Sequence, residues 1–292
     1  MPLPCDPDAA TIVSEDIPRF WEAFDRAAFR DLYLRPGSPG LEEWMRARLD
    51  ADEDRAAALL TRVTATHRRF FESIRANSLA AAERPGVTDS IRDCLHRFKA
   101  IYPDAVFPVV HLLMGVLSCG GTTGRVGILI GTEMFGCDRQ TCLGELTPWQ
   151  RANVRSLSTL AHTIVHELVH WHQSPGSRRP TLLERALREG AAVFLSELVS
   201  GVSENASRHQ YGHAHESELW AQFSQAMNGT DATAWMYQGD SARERPSDLA
   251  YFVGYRICAT HFGRHGDSRA AVRQLLHWTD AKVFLRESGY TA

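Results

Sequence analysis

The chain has 292 residues, 44% hydrophobic and 23% charged, enough apolar material for a sizeable core in one large domain or two small ones. Its formal net charge of -3, from 32 basic and 35 acidic residues, excludes a strong electrostatic attraction to nucleic acid or to an anionic membrane. No run of ~20 apolar residues is present, so no integral membrane segment is expected.

The first residues, MPLPCDPDAATIV, lack a basic region followed by an apolar stretch, so no signal peptide is visible. The default expectation is a cytoplasmic protein, or a periplasmic protein or lipoprotein if Met1 stands in place of a removed signal. Helices are expected through the first hundred residues. Phe20, Trp21, Phe24 and Phe29 recur on a roughly helical period after Asp16-Ile-Pro, and such an aromatic run is core rather than ligand site. Pro36-Gly-Ser-Pro-Gly breaks that helix. Leu41 to about Ala76 and Ser90 to Ile101 continue the amphipathic pattern.

Near residue 105 the character changes. Val106 to Ser118 and Val126 to Met134 are rich in Val, Ile, Leu and Phe and predict strands, with Gly120 to Gly124 as the turn between them. Helices resume from Pro148: one over about 149–173, a loop from Ser174 to Pro180, and one over 181–200 opened by a Thr181/Glu184 capping box. Later helices are expected over 214–228, 247–262 and 268–277. The pattern is α+β, mostly helical with a small antiparallel sheet. It forms a single domain over 1–292, with an N-terminal helical portion to 104 and a catalytic portion over 105–292. Six cysteines show no C-x-x-C spacing; Cys119, Cys137 and Cys142 flank the expected hairpin and can pair in an oxidising compartment or stay unpaired.

The chemistry sits in His166-Glu167-Leu168-Val169-His170. On an α-helix, residues i and i+4 share a face, so both imidazoles can reach one ion, with Glu167 beside its open position. Composition alone would give about 0.04 H-E-x-x-H matches in such a chain, so the bare motif can mislead. A Glu at the offset of Glu189, inside the next helix, lowers that expectation to roughly 0.002. Two His, one carboxylate and an open fourth position suit a catalytic rather than a structural zinc, with Glu167 as general base for water attack on a peptide bond.

At these residues the chain resembles the gluzincin group of zinc peptidases, defined by H-E-x-x-H with a downstream Glu. It is more closely similar to a predicted Zn-dependent protease family of bacteria that is related to a gliding-motility lipoprotein. That likeness includes Asp16-Ile-Pro-Arg-Phe-Trp-Glu-Ala-Phe-Asp25, Gly120-Gly-Thr-Thr123 with Gly127-Ile-Leu-Ile-Gly-Thr-Glu133, and Arg188-Glu-Gly-Ala-Ala-Val-Phe194. It continues in His215-Glu-Ser-Glu-Leu-Trp220, Asp248-Leu-Ala-Tyr-Phe-Val-Gly-Tyr255 and the terminal Ser288-Gly-Tyr290, so it spans nearly the whole chain. The resemblance implies a zincin-like fold with His166, His170 and Glu189 as Zn2+ ligands. Thermolysin-like gluzincins orient a ligand histidine with an Asp four residues after the ligand Glu. Val193 stands there, which leaves Glu197 and Glu133 as candidates for that task.

Other positions are weighed against ordinary roles. Val126 to Glu133 is either an edge strand that binds an extended peptide, with Gly121, Thr122, Ile128 and Ile130 touching it, or simply one strand of a core sheet. Tyr251 and Tyr255 share a helical face, and related gluzincins place an oxyanion-stabilising donor at about this distance past the Glu ligand. His209, His213 and His215 make a local His-rich stretch, of which His215 is a candidate substrate contact. His172 is expected to face solvent or the following loop. The partner expected is a peptide or protein substrate. Two rivals stay open: a zinc amidohydrolase on a small or modified amide, and a binding or assembly protein that keeps zinc for stability.

Overall fold

Burial of Asp16 organises the start of the chain. Its carboxylate accepts hydrogen bonds from the Ser38 N–H at 3.1 Å, from the Ser38 hydroxyl and from Arg19 Nη1 at 3.0 Å, so a charge hidden from water is fully partnered. These contacts appear in a computed structural model that describes residues 2–203, 206–242 and 245–292. The chain falls into two compact units, Met1–His96 with Asp104–Leu168, and Arg97–Pro103 with Val169–Ala292.

The first unit opens with strand β1 (Ile12–Val13) and helices α1 (Asp16–Arg26), α2 (Pro39–Trp44), α3 (Glu53–Thr66), α4 (Arg68–Glu83) and most of α5 (Pro85–Ile101). The helix expected from Leu41 to Ala76 is thus several. A left-handed Asp50 ends a π-helical turn at Met45–Leu49, and His67 separates α3 from α4. Phe20 lies at the centre of the core, edge-on to Trp21 at 5.1 Å and to Tyr33 at 5.4 Å, with Phe71 at 5.7 Å. The polar ends of these rings are satisfied: Trp21 Nε1 donates to Ser78 Oγ at 2.9 Å and Tyr33 to the Met114 carbonyl at 2.6 Å.

Strands β2 (Val110–Leu113), β3 (Gly121–Gly124) and β4 (Gly127–Gly131) join β1 in one sheet of order β1-β2-β4-β3. The α+β expectation holds, but the sheet is mixed rather than antiparallel: β1 and β4 both run parallel to β2, and only β3–β4 is antiparallel. Two further expectations are corrected here. Gly121 to Gly124 is strand, and the turn is the two residues Arg125 and Val126. Their N–H groups donate to Glu43 Oε1 at 2.9 Å and Oε2 at 3.0 Å, which closes the hairpin early. Gly127 follows at φ +141°, where a Cβ would stand 2.0 Å from the Val109 carbonyl oxygen. Because β4 is buried along its whole length, it needs partners on both sides. It is therefore an interior strand, as the core-sheet alternative had it, and the edges are β1 and β3.

Glu133, at the end of this sheet, is fully buried and accepts from the Gly115 N–H at 2.7 Å and the Leu117 N–H at 3.1 Å. It holds the loop between β2 and β3, not a histidine. Burial pushes its pKa up to about 7 against the pull of those N–H groups. The folded chain therefore keeps a proton that the unfolded chain releases above about 4.5, and this group's contribution to stability falls as pH rises from there to about 7. Glu133→Gln removes that titration and leaves one buried N–H facing an amide that cannot accept. We expect a flatter pH dependence of urea unfolding over that range and a loss of about 1–3 kcal/mol at neutral pH.

The expected helix over 149–173 is interrupted. Helix α6 (Pro148–Asn153) ends before an extended Val154, and α7 (Leu160–His172) starts after a 3-10 turn at Leu157–Thr159. In the second unit follow α8 (Leu182–Ser200), α9 (Ala206–Ala214), α10 (Glu216–Ala226), α11 (Leu249–Arg264), α12 (Ser268–His277) and α13 (Ala281–Ser288). The capping box of Thr181 and Glu184 is present, and Gly201 at φ 72° stops α8. Helices α8 and α11 meet backbone to backbone. A Cβ on Gly190 would stand 2.0 Å from the Gly254 carbonyl carbon, and one on Gly254 would stand 1.7 Å from the Ala186 oxygen. The chain end is tied down by Glu216 Oε1, which accepts from Arg256 Nε at 2.6 Å and the Tyr290 hydroxyl at 2.9 Å. His172 packs on Phe98 at 5.7 Å and Tyr102 at 5.2 Å rather than facing solvent, because aromatic neighbours from the end of α5 cover it. Among the described residues no disulfide joins the cysteines. No helix among the described residues is long and apolar enough to cross a membrane.

Candidate metal centre

Leu160, Ile164, Val165, Leu168 and Val169 are buried and fix the rotation of α7. The remaining face carries His166 and His170, one turn apart. The boundary between the two units falls inside this unbroken helix. Glu189 projects from the second turn of α8, next to the Gly190 that lets α11 approach. Ligand-capable atoms of His166, His170 and Glu189 all lie within 4.8 Å of one another.

The hydrogen bonds around His170 fix its chemistry. Gln173 Nε2 donates to the Arg188 carbonyl at 2.8 Å, and a carbonyl can only accept, so the amide orientation follows. Gln173 Oε1 then faces His170 Nδ1 at 2.9 Å and accepts its proton. In neutral His170 the lone pair is on Nε2, which stands 3.2 Å from Glu189 Oε2. Two acceptors at that distance need a positive centre shared between them, either a proton or a metal cation. Gln173, rather than the candidates Glu197 and Glu133, is thus the partner of His170 Nδ1. Glu197 instead accepts from Ser203 Oγ at 2.8 Å and from the Tyr255 hydroxyl.

Glu167 is buried, and the first residue of edge strand β3 lies against it: a Cβ on Gly121 would come within 2.9 Å of Glu167 Cγ and 3.0 Å of Oε1. Gly121 and Thr122 are on that edge, partly exposed. Ile128 and Ile130 belong to interior strand β4 and are buried, so they line the core rather than an open groove. Tyr251 and Tyr255 separate clearly. Burial and then the negative field of Glu189 hold the Tyr251 phenol well above the ordinary tyrosine range, and the Arg208 guanidinium covers its ring at 5.2 Å. Tyr255 is engaged with Glu197 and with the His209 ring at 4.5 Å. His209 is kept neutral by burial and by Arg208, with its pKa lowered to about 4. His215 stacks on Tyr211 at 4.1 Å and its Nδ1 donates to the Tyr211 carbonyl at 2.9 Å, a local role where α10 begins.

Three residues near the centre escaped sequence reasoning. Gln173 and Arg185 were legible in principle, standing three residues after His170 and four before Glu189 on their helices. Tyr237 comes from a loop with no periodic signal. Its phenol lies in the fields of Glu189 and of the Arg185 guanidinium.

A family model described as "Gliding motility protein GldB" matches residues 39–292. No curated protein and no solved structure matches the chain.

Proposed function

The chain belongs to the gliding motility protein GldB family, and we propose that it is a zinc-dependent hydrolase, most simply a peptidase, held to the cell envelope as that family's lipoproteins are. One observation carries the reading: ligand-capable atoms of His166, His170 and Glu189 lie within 4.8 Å of one another, with His170 Nε2 and Glu189 Oε2 facing each other at 3.2 Å and the buried Glu167 next to His166 in the chain. The residues fit zinc in number and type, two imidazoles and one carboxylate, with the far nitrogen of His170 already anchored by Gln173. Zinc bound by this group would supply Lewis acidity and bring the pKa of water towards ~7.

The chain's own residues do the rest. Glu167 takes the proton of the attacking water and returns it to the leaving amine. Gly121 lets an extended peptide approach that carboxylate, since any side chain there would collide with it. A peptide pairing with the free edge of β3 would be held by main-chain hydrogen bonds, with little demand on sequence. Of the two tyrosines on α11, Tyr251 and not Tyr255 lies in the field of Glu189, which favours it as the donor to a developing oxyanion. The same residues serve an amidohydrolase acting on a small amide. A non-catalytic assembly protein that keeps zinc for stability is the reading that the family's association with motility favours. The buried Glu167 speaks for catalysis, since a structural site requires no base.

Elemental analysis tests the centre. We expect about one zinc per chain in the wild type and a sharp loss in both His166→Ala and Glu189→Ala. No zinc after metal supplementation would end the hydrolase reading. One zinc with unfolding on chelation, and no cleavage of a peptide library, would favour the assembly role.

A further inference from the structure

Arg185 stands one helical turn before Glu189 on α8, so the two side chains leave the same helix face with Cβ atoms about 6 Å apart. It is partly buried, and its Nε is fully shielded from water without an acceptor among the described residues. A guanidinium N–H withdrawn from water in this way is costly unless an anion completes it. The carboxylates nearby are committed elsewhere. Glu184 closes the capping box, taking the Thr181 N–H at 2.6 Å and hydroxyl at 2.9 Å. Asp248 accepts the N–H of Tyr237 and lies 3.7 Å from Arg208. Glu189 faces His170.

The phenol of Tyr237 lies close enough to the Arg185 guanidinium for that charge to oppose the effect of burial on it, and that tyrosine is held in an unusual way. Its backbone is left-handed at φ 60°, and so is Asp248 at φ 63°, a conformation that non-glycine residues rarely adopt. Each donates its N–H to the other's segment: Tyr237 to the Asp248 carboxylate, and Asp248 to Gln238 Oε1 at 3.1 Å. The outcome is an aromatic residue 64% exposed yet fixed in place, its phenol in the fields of the Arg185 guanidinium and the Glu189 carboxylate. Such strain persists only where the surroundings impose it, and it clusters at binding sites.

We propose that Arg185 and Tyr237 form a carboxylate-binding subsite beside the His166, His170 and Glu189 group, which selects peptides with a negative charge just beyond the bond to be cut. The inference rests on the hydrolase reading for its use, but not for the binding itself. The planar guanidinium fork matches a carboxylate, and the exposed phenol turns its O–H to the second oxygen. One helical turn is about 5.4 Å, the span of one or two extended residues, so the carboxylate lies that far past the scissile bond. It is supplied either by a free C-terminus or by an Asp or Glu side chain.

Anisotropy of three dansyl peptides decides this on chelator-stripped and zinc-reloaded wild-type protein: dansyl-Gly-Gly-Phe with a free carboxylate, its C-terminal amide, and dansyl-Gly-Gly-Glu with the C-terminus amidated. The free acid should bind about tenfold tighter than the Phe amide, the difference a charge-assisted pair makes. Arg185→Met should abolish that preference and Tyr237→Phe reduce it. Tyr237 is exposed, so its variant leaves the packing of α8 intact and stands if Arg185→Met fails to fold. Tight binding of the Glu amide as well assigns the side chain as a source, whereas binding of the free acid alone assigns the C-terminus. Equal binding of all three peptides, or a preference that survives Arg185→Met or is untouched in Tyr237→Phe, overturns the subsite. Failure of the hydrolase reading is distinguishable, because it shows as absent zinc while the stripped protein still reports the acid preference.

Discussion

Glu167→Gln is expected to bind zinc as the wild type does and to lose turnover by a factor of about 10²–10⁴, the share general acid–base catalysis contributes. The substitution is close to isosteric, so the buried side chain keeps its place against Gly121 and α7 keeps its packing. What it loses is the ability to accept a proton. Metal retention follows because the three residues that meet within 4.8 Å do not include Glu167. Steady-state kinetics on a cleaved peptide, alongside zinc analysis of the same preparation, makes the comparison. Unchanged turnover removes Glu167 from the mechanism, and lost zinc reassigns it as a ligand.

Gly254→Ala is expected to cost about 3 kcal/mol or more, at the upper end of what overpacking does. The reason is what the new methyl would meet. Its nearest neighbours are the Ala186 carbonyl, at 1.7 Å from oxygen and 2.5 Å from carbon, and then Gly190 Cα at 3.2 Å. All are backbone of α8, and none can rotate aside as a side chain can. Helices α8 and α11 must separate, which carries Tyr251 away from Glu189. Thermal unfolding should fall by roughly 6–12 °C for a unit of this size, and zinc affinity should weaken with it. Gly190→Ala, which meets the same crossing from the other side at 2.0 Å, should behave alike. A Gly254→Ala protein with wild-type stability would show that the two helices do not pack this closely in solution.

How much of this was legible in the sequence differs from element to element. The spacing His166–His170 and a Glu inside the following helix are local facts, since helix geometry puts i and i+4 on one face whatever surrounds them. The same holds for the capping box at Thr181 and for α12, whose expected bounds at 268–277 are those found. The sheet was different. Strand-rich composition located β2 and β4, but nothing local distinguishes an edge strand from an interior one, or a glycine-rich turn from a glycine-rich strand. Glu43, about 80 residues away, caps Arg125 and Val126 and thereby turns Gly121 to Gly124 into the edge.

The sequence by itself determined the α+β character, the likeness to the motility lipoprotein family, and the candidate ligands with their base, because each depends on residue type and short-range period. Only the tertiary structure decided which groups serve them. It assigned Gln173 rather than Glu197 or Glu133 to His170, set Tyr251 rather than Tyr255 in the field of Glu189, and brought Tyr237 from a distant loop onto Arg185. These choices depend on where a side chain points after helices have packed. That direction is set here by two glycines at a crossing and two left-handed residues in a loop, neither of which has a periodic signature.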